Sequence, residues 1–174
     1  GKTVMAASML GSAGAKGLTS DFIVHRRELI EQTSDTFRDV GIPHGFIASG
    51  MPVNGLAPVQ LAGIQTLVNR LEHAPVPKLI VWDECHHMTA GLWDAVFKHY
   101  PEAFHIGLTA TPERLDGRGL SDHFDVMVDG PSTGELIRRG YLSPFDYYAP
   151  GVPDLVGMRT VGGDYNRADT AELI

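Results

Sequence analysis

An α/β fold built on a mainly parallel sheet is what this chain predicts, on three observations. Short apolar, β-branched runs alternate with stretches of helical periodicity along most of the length, which is the pattern of repeated βα units. The run Leu79-Ile80-Val81-Trp82 is continuously apolar, as expected of a strand covered on both faces. Polar residues directly follow the best strand candidates, at Asp83-Glu84 and at Thr109-Ala110-Thr111, where parallel sheets gather their ligands.

Each element follows from local pattern. Val4 to Leu10 is helix-forming material opened by Gly1-Lys2-Thr3 and closed by the Gly/Ala/Ser-rich turn Gly11 to Gly17. Asp21 to Val24 predicts a strand, and Arg26 to Val40 a helix with Leu29, Ile30, Phe37 and Val40 at helical spacing. Gly45 to Ala48 and Val59 to Ala62 predict short strands separated by a Gly/Pro-rich loop. Gln65 to His73 predicts a helix, Lys78 to Asp83 a strand, Gly91 to Tyr100 a helix and His105 to Leu108 a strand whose ladder Pro112 ends. Phe124 to Val128 predicts a further strand, Ser132 to Arg139 a helix ended by Gly140, and Phe145 to Ala149 a last strand. Beyond Pro150 the sequence loses periodicity, so 151–174 is expected to be linker, with a helix beginning near Asn166. One domain, 1–150, is expected, with no internal repeats.

Composition bounds the class. The chain has 174 residues, 43% hydrophobic and 20% charged, enough for one sizeable core. Its single cysteine, Cys85, allows no intrachain disulfide and suits a reducing, cytoplasmic setting. No apolar stretch approaches the roughly 20 residues of a membrane span, so no membrane partner is expected. The formal net charge of -7 is unusual for a binder of phosphate backbones, although His25-Arg26-Arg27 forms a local basic cluster.

Three motifs carry chemistry. In Asp83-Glu84-Cys85-His86-His87 two adjacent carboxylates follow a buried strand. Asp83 suits a magnesium ion held through water, and Glu84 suits the base that deprotonates an attacking water; a solvated strand end capping the next helix is the plainer alternative. Gly1-Lys2-Thr3 before a helix matches the tail of a phosphate loop, in which the lysine reaches the β and γ phosphates and the hydroxyl ligates Mg²⁺. A secretory signal, with Lys2 as its basic region and Val4 to Leu10 as its apolar one, is the rival reading. Thr109 and Thr111 can hydrogen-bond the Asp-Glu segment from a neighbouring strand, or merely mark a strand exit. A zinc site at Asp83, Cys85, His86 and His87 is disfavoured because adjacent ligands do not easily converge on one metal. Trp82 and Trp93 read as core, and His87 as a helix-start surface residue.

The order GKT, DECHH, TATP resembles the series of superfamily 2 helicases and translocases of the DEAD/DEAH group, and the chain resembles their first RecA-like domain. Ile23 to Gln32, with Arg27-Glu28-Leu29, looks like motif Ia; Gly63-Ile64-Gln65-Thr66-Leu67 is similar to a segment that contacts the nucleic-acid backbone. Thr109 to Gly117 and Thr133 to Leu142 are similar to the type III restriction-subunit-like branch. The resemblance implies a three-layer α/β/α P-loop NTPase domain with its first strand missing, using ATP and Mg²⁺. It implies Gly1, Lys2, Thr3, Asp83 and Glu84 at the nucleotide, with Thr3 and Asp83 on the metal, and Lys2, Asp83 and Glu84 catalytic. His86, Thr109, Ala110 and Thr111 would couple hydrolysis to movement, and His25, Arg26, Arg27, Gln65 and Thr66 would contact nucleic acid, DNA in preference to RNA.

Two departures stand out. Cys85 occupies a position usually held by Ala, and His25-Arg26 replaces Pro-Thr. A second RecA-like domain of the same parent protein is the implied partner. Without the strand that precedes the phosphate loop, the edge of Lys78 to Asp83 is expected to lie uncovered, favouring aggregation and leaving the chain alone with weak ATP binding and negligible turnover. A motor domain and a non-catalytic nucleotide-gated binding scaffold are the competing functions, and the presence of Lys2, Asp83 and Glu84 favours the motor.

Overall fold

Five strands pair in parallel, in the order β2-β3-β1-β4-β5, in the computed structural model. It describes residues 2–87, 91–111, 120–146, 160–161 and 164–165. The strands are β1 (Ser20–Val24), β2 (His44–Ile47), β3 (Val59–Gly63), β4 (Leu79–Asp83) and β5 (Phe104–Leu108). Helices α1 (Lys2–Ala15), α2 (Arg27–Asp39), α3 (Ile64–Val68) and α4 (Leu92–His99) connect and cover them. The chain divides into two compact units, Gly1–Asp125 and Val126–Ile174, and the sheet belongs to the first.

Two cores explain why the central strands are apolar throughout. On one face Phe22, Val24, Leu61 and Val81 pack with Ala6, Ala7 and Leu10 of α1 and with Ile30 and Phe37 of α2. On the other, Ile23, Ala62, Ile80 and Trp82 pack with Leu67 of α3 and with Trp93 and Val96 of α4. Successive residues of one strand therefore feed opposite cores, and no position in the middle of β4 faces water. Trp82 and Trp93 are core, as expected: their rings stack with centroids 4.2 Å apart, and both are under 3% exposed, at 0% and 2%. Trp82 also donates from Nε1 to His105 Nδ1 at 3.1 Å, so the indole is buried with its polar handle satisfied.

Besides α1, which runs on through Gly11 to Ala15 where a turn is expected, the structure departs from the sequence-based expectations at four places. First, β4 is paired on both sides, with β1 through Ile23 and Trp82 and with β5 through Asp83 and Leu108. The edge of Lys78 to Asp83 is thus not uncovered; β5 ends the order of the sheet, and its first residue, Phe104, is 79% exposed. Second, the helix expected over Gln65 to His73 breaks after Val68 and resumes as a 3₁₀ turn at Leu71–His73. Asn69 explains the break: its side-chain amide donates to the Gln65 carbonyl at 2.9 Å, taking a main-chain acceptor for itself.

Third, Phe124 to Val128 is not a strand. Val126, Met127 and Val128 are 78%, 66% and 89% exposed, so β propensity there has no sheet to join. Fourth, Phe145 and Asp146 are not in a strand; the rest of that expected strand lies outside the described residues, as do Gly1, 112–117 and the helix expected near Asn166. In the second unit α5 (Thr133–Arg138) is closed at its start by Ser132, whose hydroxyl accepts from Glu135 N at 3.2 Å, half of a capping box. The range 151–174 holds a short antiparallel pairing of β6 (Thr160–Val161) with β7 (Asp164–Tyr165). Among the described residues no helix is long and apolar enough to cross a membrane.

Candidate functional site

All strands of the sheet run the same way, so the residues that follow β1, β3, β4 and β5 collect along one edge. His25-Arg26-Arg27 follows β1, Gln65 and Thr66 open the helix after β3, Asp83 closes β4, and Thr109 follows β5. The start of α1 faces the same edge, because Lys2 reaches Glu84. The Lys2 ammonium forms an ion pair with Glu84 Oε1, across 82 positions of sequence. The two side chains are 31% and 27% exposed, so water screens the pair and its net stabilisation is modest.

Glu84 has φ of 49°, the one non-glycine residue in the left-handed region among those described. A side chain there is uncommon and costs energy that the surroundings must supply. The turn swings the carboxylate off the strand: Oε1 meets Lys2 while Oε2 lies 3.3 Å from His86 Nδ1. His86 Nδ1 is also 2.7 Å from Thr109 Oγ1. Since the Thr109 hydroxyl donates to the Thr111 carbonyl at 2.7 Å and accepts from Thr111 N at 3.0 Å, the proton between His86 and Thr109 sits on the imidazole. Lys2, Glu84, His86, Thr109 and Thr111 are therefore one chain of polar contacts drawn from three motifs.

Asp83 is half-buried beside this chain. Burial raises its carboxyl above the ordinary aspartate range, the neighbouring Glu84 adds to that, and Lys2 opposes it. The Asp83 and Glu84 carboxylates and the hydroxyl of half-buried Thr3 are hard oxygen donors, the ligand type that suits Mg²⁺. Ala110 follows Thr109 within the turn closed by the Thr109–Thr111 bonds.

Cys85 fits because of a glycine. Its side chain is 1% exposed, burial pushes its thiol up to about 11, and a Cβ at Gly107 would meet its Sγ at 2.8 Å and the Phe124 ring at 2.7 Å. The larger atom in place of the usual Ala is accommodated by the missing methyl on β5. Of the residues expected to contact nucleic acid, Arg26, Arg27 and Gln65 are exposed and Thr66 is half-buried, and Arg27 lies beside Gly50, where a Cβ would sit 3.1 Å from its guanidinium.

Two features escape the sequence. His87, expected on the surface, is half-buried, its ring 4.8 Å from that of His25 and 4.0 Å from that of His86. The doubled histidine was its one visible signal. Asp21, inside β1, is 1% exposed with Oδ2 unpartnered, and burial pushes its carboxyl up to about 8. An acid within an apolar run was the signal there.

Comparison with known proteins bears on the family and the fold. The chain is 33% identical over 166 residues to a 51.5 kDa protein of a Lactococcus phage, covering 95% of this chain and 34% of that protein. It is 32% identical over 132 residues to a Schizosaccharomyces pombe protein provisionally named a mitochondrial ATP-dependent helicase, covering 69% of this chain and 22% of that one. With the type I restriction enzyme EcoAI endonuclease subunit of Escherichia coli it shares 29% identity over 155 residues, 82% of this chain and 19% of the other. The chain thus spans about a third or less of the length of these relatives. Its fold is similar to that of the UvsW helicase of bacteriophage T4, at a TM-score of 0.57 and 20% identity, over 64% of this chain and 43% of that one. Residues 1–114 match the family described as type III restriction enzyme, res subunit, and the chain belongs to that family.

Proposed function

We propose that this chain is the first RecA-like domain of an ATP-dependent nucleic-acid motor, a helicase or translocase, acting on DNA in preference to RNA. The observation that carries the reading is the meeting of Lys2, Glu84, His86 and Thr109 at one sheet edge. Its domain would span 1–150, with 151–174 leading to a second RecA-like domain of the same protein, and the setting is cytoplasmic.

Bound Mg²⁺ and ATP would supply the phosphoanhydride and a charge-neutralising cation at this edge. Lys2, at the first turn of α1, would turn from Glu84 to the β and γ phosphates, with the helix N-terminus behind it and Gly1 before it in sequence. Thr3 and Asp83 would hold the metal. Glu84 orients a water and takes its proton. His86, Thr109, Ala110 and Thr111 carry the result toward the nucleic acid. Arg26 and Arg27, with His25, Gln65 and Thr66, contact the backbone of the strand, which positions it without reading sequence.

The test is ATP turnover of the full-length protein with and without nucleic acid. Nucleic acid should stimulate it, and Glu84→Gln should bind ATP while losing turnover by roughly 10²- to 10⁴-fold. Near-normal turnover in Glu84→Gln would sink the assignment of the base.

A further inference from the structure

His25 and Glu84 leave neighbouring strands side by side. Because β1 and β4 run in register, with Ile23 opposite Trp82, the two residues that follow each strand emerge next to one another at the spacing of adjacent strands. His25 does not use this position for a polar contact through Nδ1, which is buried with no hydrogen-bond partner among the described residues. It packs its ring on His87 instead, with centroids 4.8 Å apart and planes at 41°.

His87 is tied to the catalytic turn in two ways. Its ring touches that of His86 at 4.0 Å, and its backbone N–H donates to the Glu84 carbonyl at 2.9 Å. A shift of the His87 ring therefore bears on the Glu84 peptide, which sits in the left-handed region, and on His86, which holds Glu84 Oε2 and Thr109. On the other side His25 is joined directly to Arg26 and Arg27. Burial lowers the basicity of both His25 and His87, the nearness of His87 and Arg26 adding to it in His25 and that of His86 in His87.

We propose that the His25–His87 contact is a positioning link through which nucleic acid bound at Arg26 and Arg27 sets the Glu84–His86 arrangement for hydrolysis. This rests on the function proposed above. Coupling of this kind requires contiguous packed groups between the two sites, and here they are four consecutive contacts: Arg26 to His25 through the chain, His25 to His87, His87 to His86, and His86 to Glu84. Shape, not hydrogen bonding, carries the second step, since His25 Nδ1 is unpartnered.

The test measures ATP turnover of the full-length protein against increasing sheared duplex DNA, the same DNA heat-denatured, and poly(U), using whichever stimulates the wild type most. His87→Ala should lower the stimulated maximum, relative to unstimulated turnover, roughly three- to tenfold, with the half-stimulating concentration at the wild-type level. His25→Ala should lower the same maximum, and the double variant should be no worse than the worse single one, because both break one link. His25→Phe, which keeps a flat ring, should restore stimulation. Additive losses, unchanged stimulation in His87→Ala, or failure of His25→Phe to outperform His25→Ala would each overturn the proposal. Absence of stimulation in the wild type by all three nucleic acids would instead overturn the function reading, and this inference with it.

Discussion

His86 and Thr109 are joined at 2.7 Å, with the imidazole donating, because the Thr109 hydroxyl gives its own hydrogen to Thr111. Removal of that hydroxyl leaves a half-buried N–H with only the longer contact to Glu84 at 3.3 Å. Such a loss costs about 1–3 kcal/mol. Thr109→Ala should therefore keep ATP affinity in the full-length protein and slow hydrolysis by roughly tenfold, the equivalent of 1.4 kcal/mol. Single-turnover hydrolysis measured beside equilibrium nucleotide binding checks it, and equal changes in both would place Thr109 at the nucleotide instead.

The left-handed backbone of Glu84 predicts an order of stability among variants that all lose the carboxylate and its ion pair. Glycine adopts such φ values freely, Asn tolerates them, and β-branched residues resist them. Thermal midpoints should fall in the order Glu84→Gly, Glu84→Asn, Glu84→Ala, Glu84→Val, with about 1–3 kcal/mol between the extremes. A midpoint for Glu84→Val as high as that for Glu84→Gly would show that residue 84 relaxes without strain.

Asp21 predicts a pH dependence of unusual sign. Its carboxyl is pushed from the ordinary value of 3.8 up to about 8 in the folded chain, so between these values the folded state holds a proton that the unfolded state has released. Stability therefore falls as pH rises through that window, the reverse of a salt-bridged aspartate. Above the folded value the full cost of burying the charge is paid. Denaturant titrations from pH 5 to 8.5 should show this decline in the wild type and a flatter profile in Asp21→Asn. Parallel profiles would mean that Asp21 gains a partner or water on folding.

Arg26 and Arg27 are exposed at the entrance to α2. If they meet phosphates, Arg26→Ala/Arg27→Ala should weaken binding of all sequences alike and reduce the salt slope of log K by roughly one to two. An unchanged slope in nucleic-acid titrations between low and moderate salt would leave them as helix-end surface.

How far the sequence revealed this follows from the range of the forces involved. β1 to β5 were legible within a residue or two, since strands covered on both faces announce themselves as continuous apolar runs. The convergence of Lys2, Asp83, Glu84 and Thr109 followed from motif order. What periodicity cannot carry is lateral: which strand lies beside β4, and the ring contacts among His25, His86 and His87, depend on neighbours far apart in sequence. Asn69 broke a helix whose apolar spacing was sound, through a competition decided by one side chain. Val126-Met127-Val128 has strand-forming residues and no sheet to join, so propensity there predicted a conformation that tertiary structure does not supply.

The fit of Cys85 against Gly107 turns the chain's one thiol into a timekeeper. A thiol with its ionisation pushed up to about 11 and its surface 1% exposed is inert to alkylating reagents while the structure stays shut. Modification then requires an opening of the turn that packs Cys85 against Gly107 and the core around it. Its rate then reports openings directly beside Asp83 and Glu84, without any engineered label, and any slowing of that rate on adding nucleotide would measure how firmly a bound state holds this turn closed.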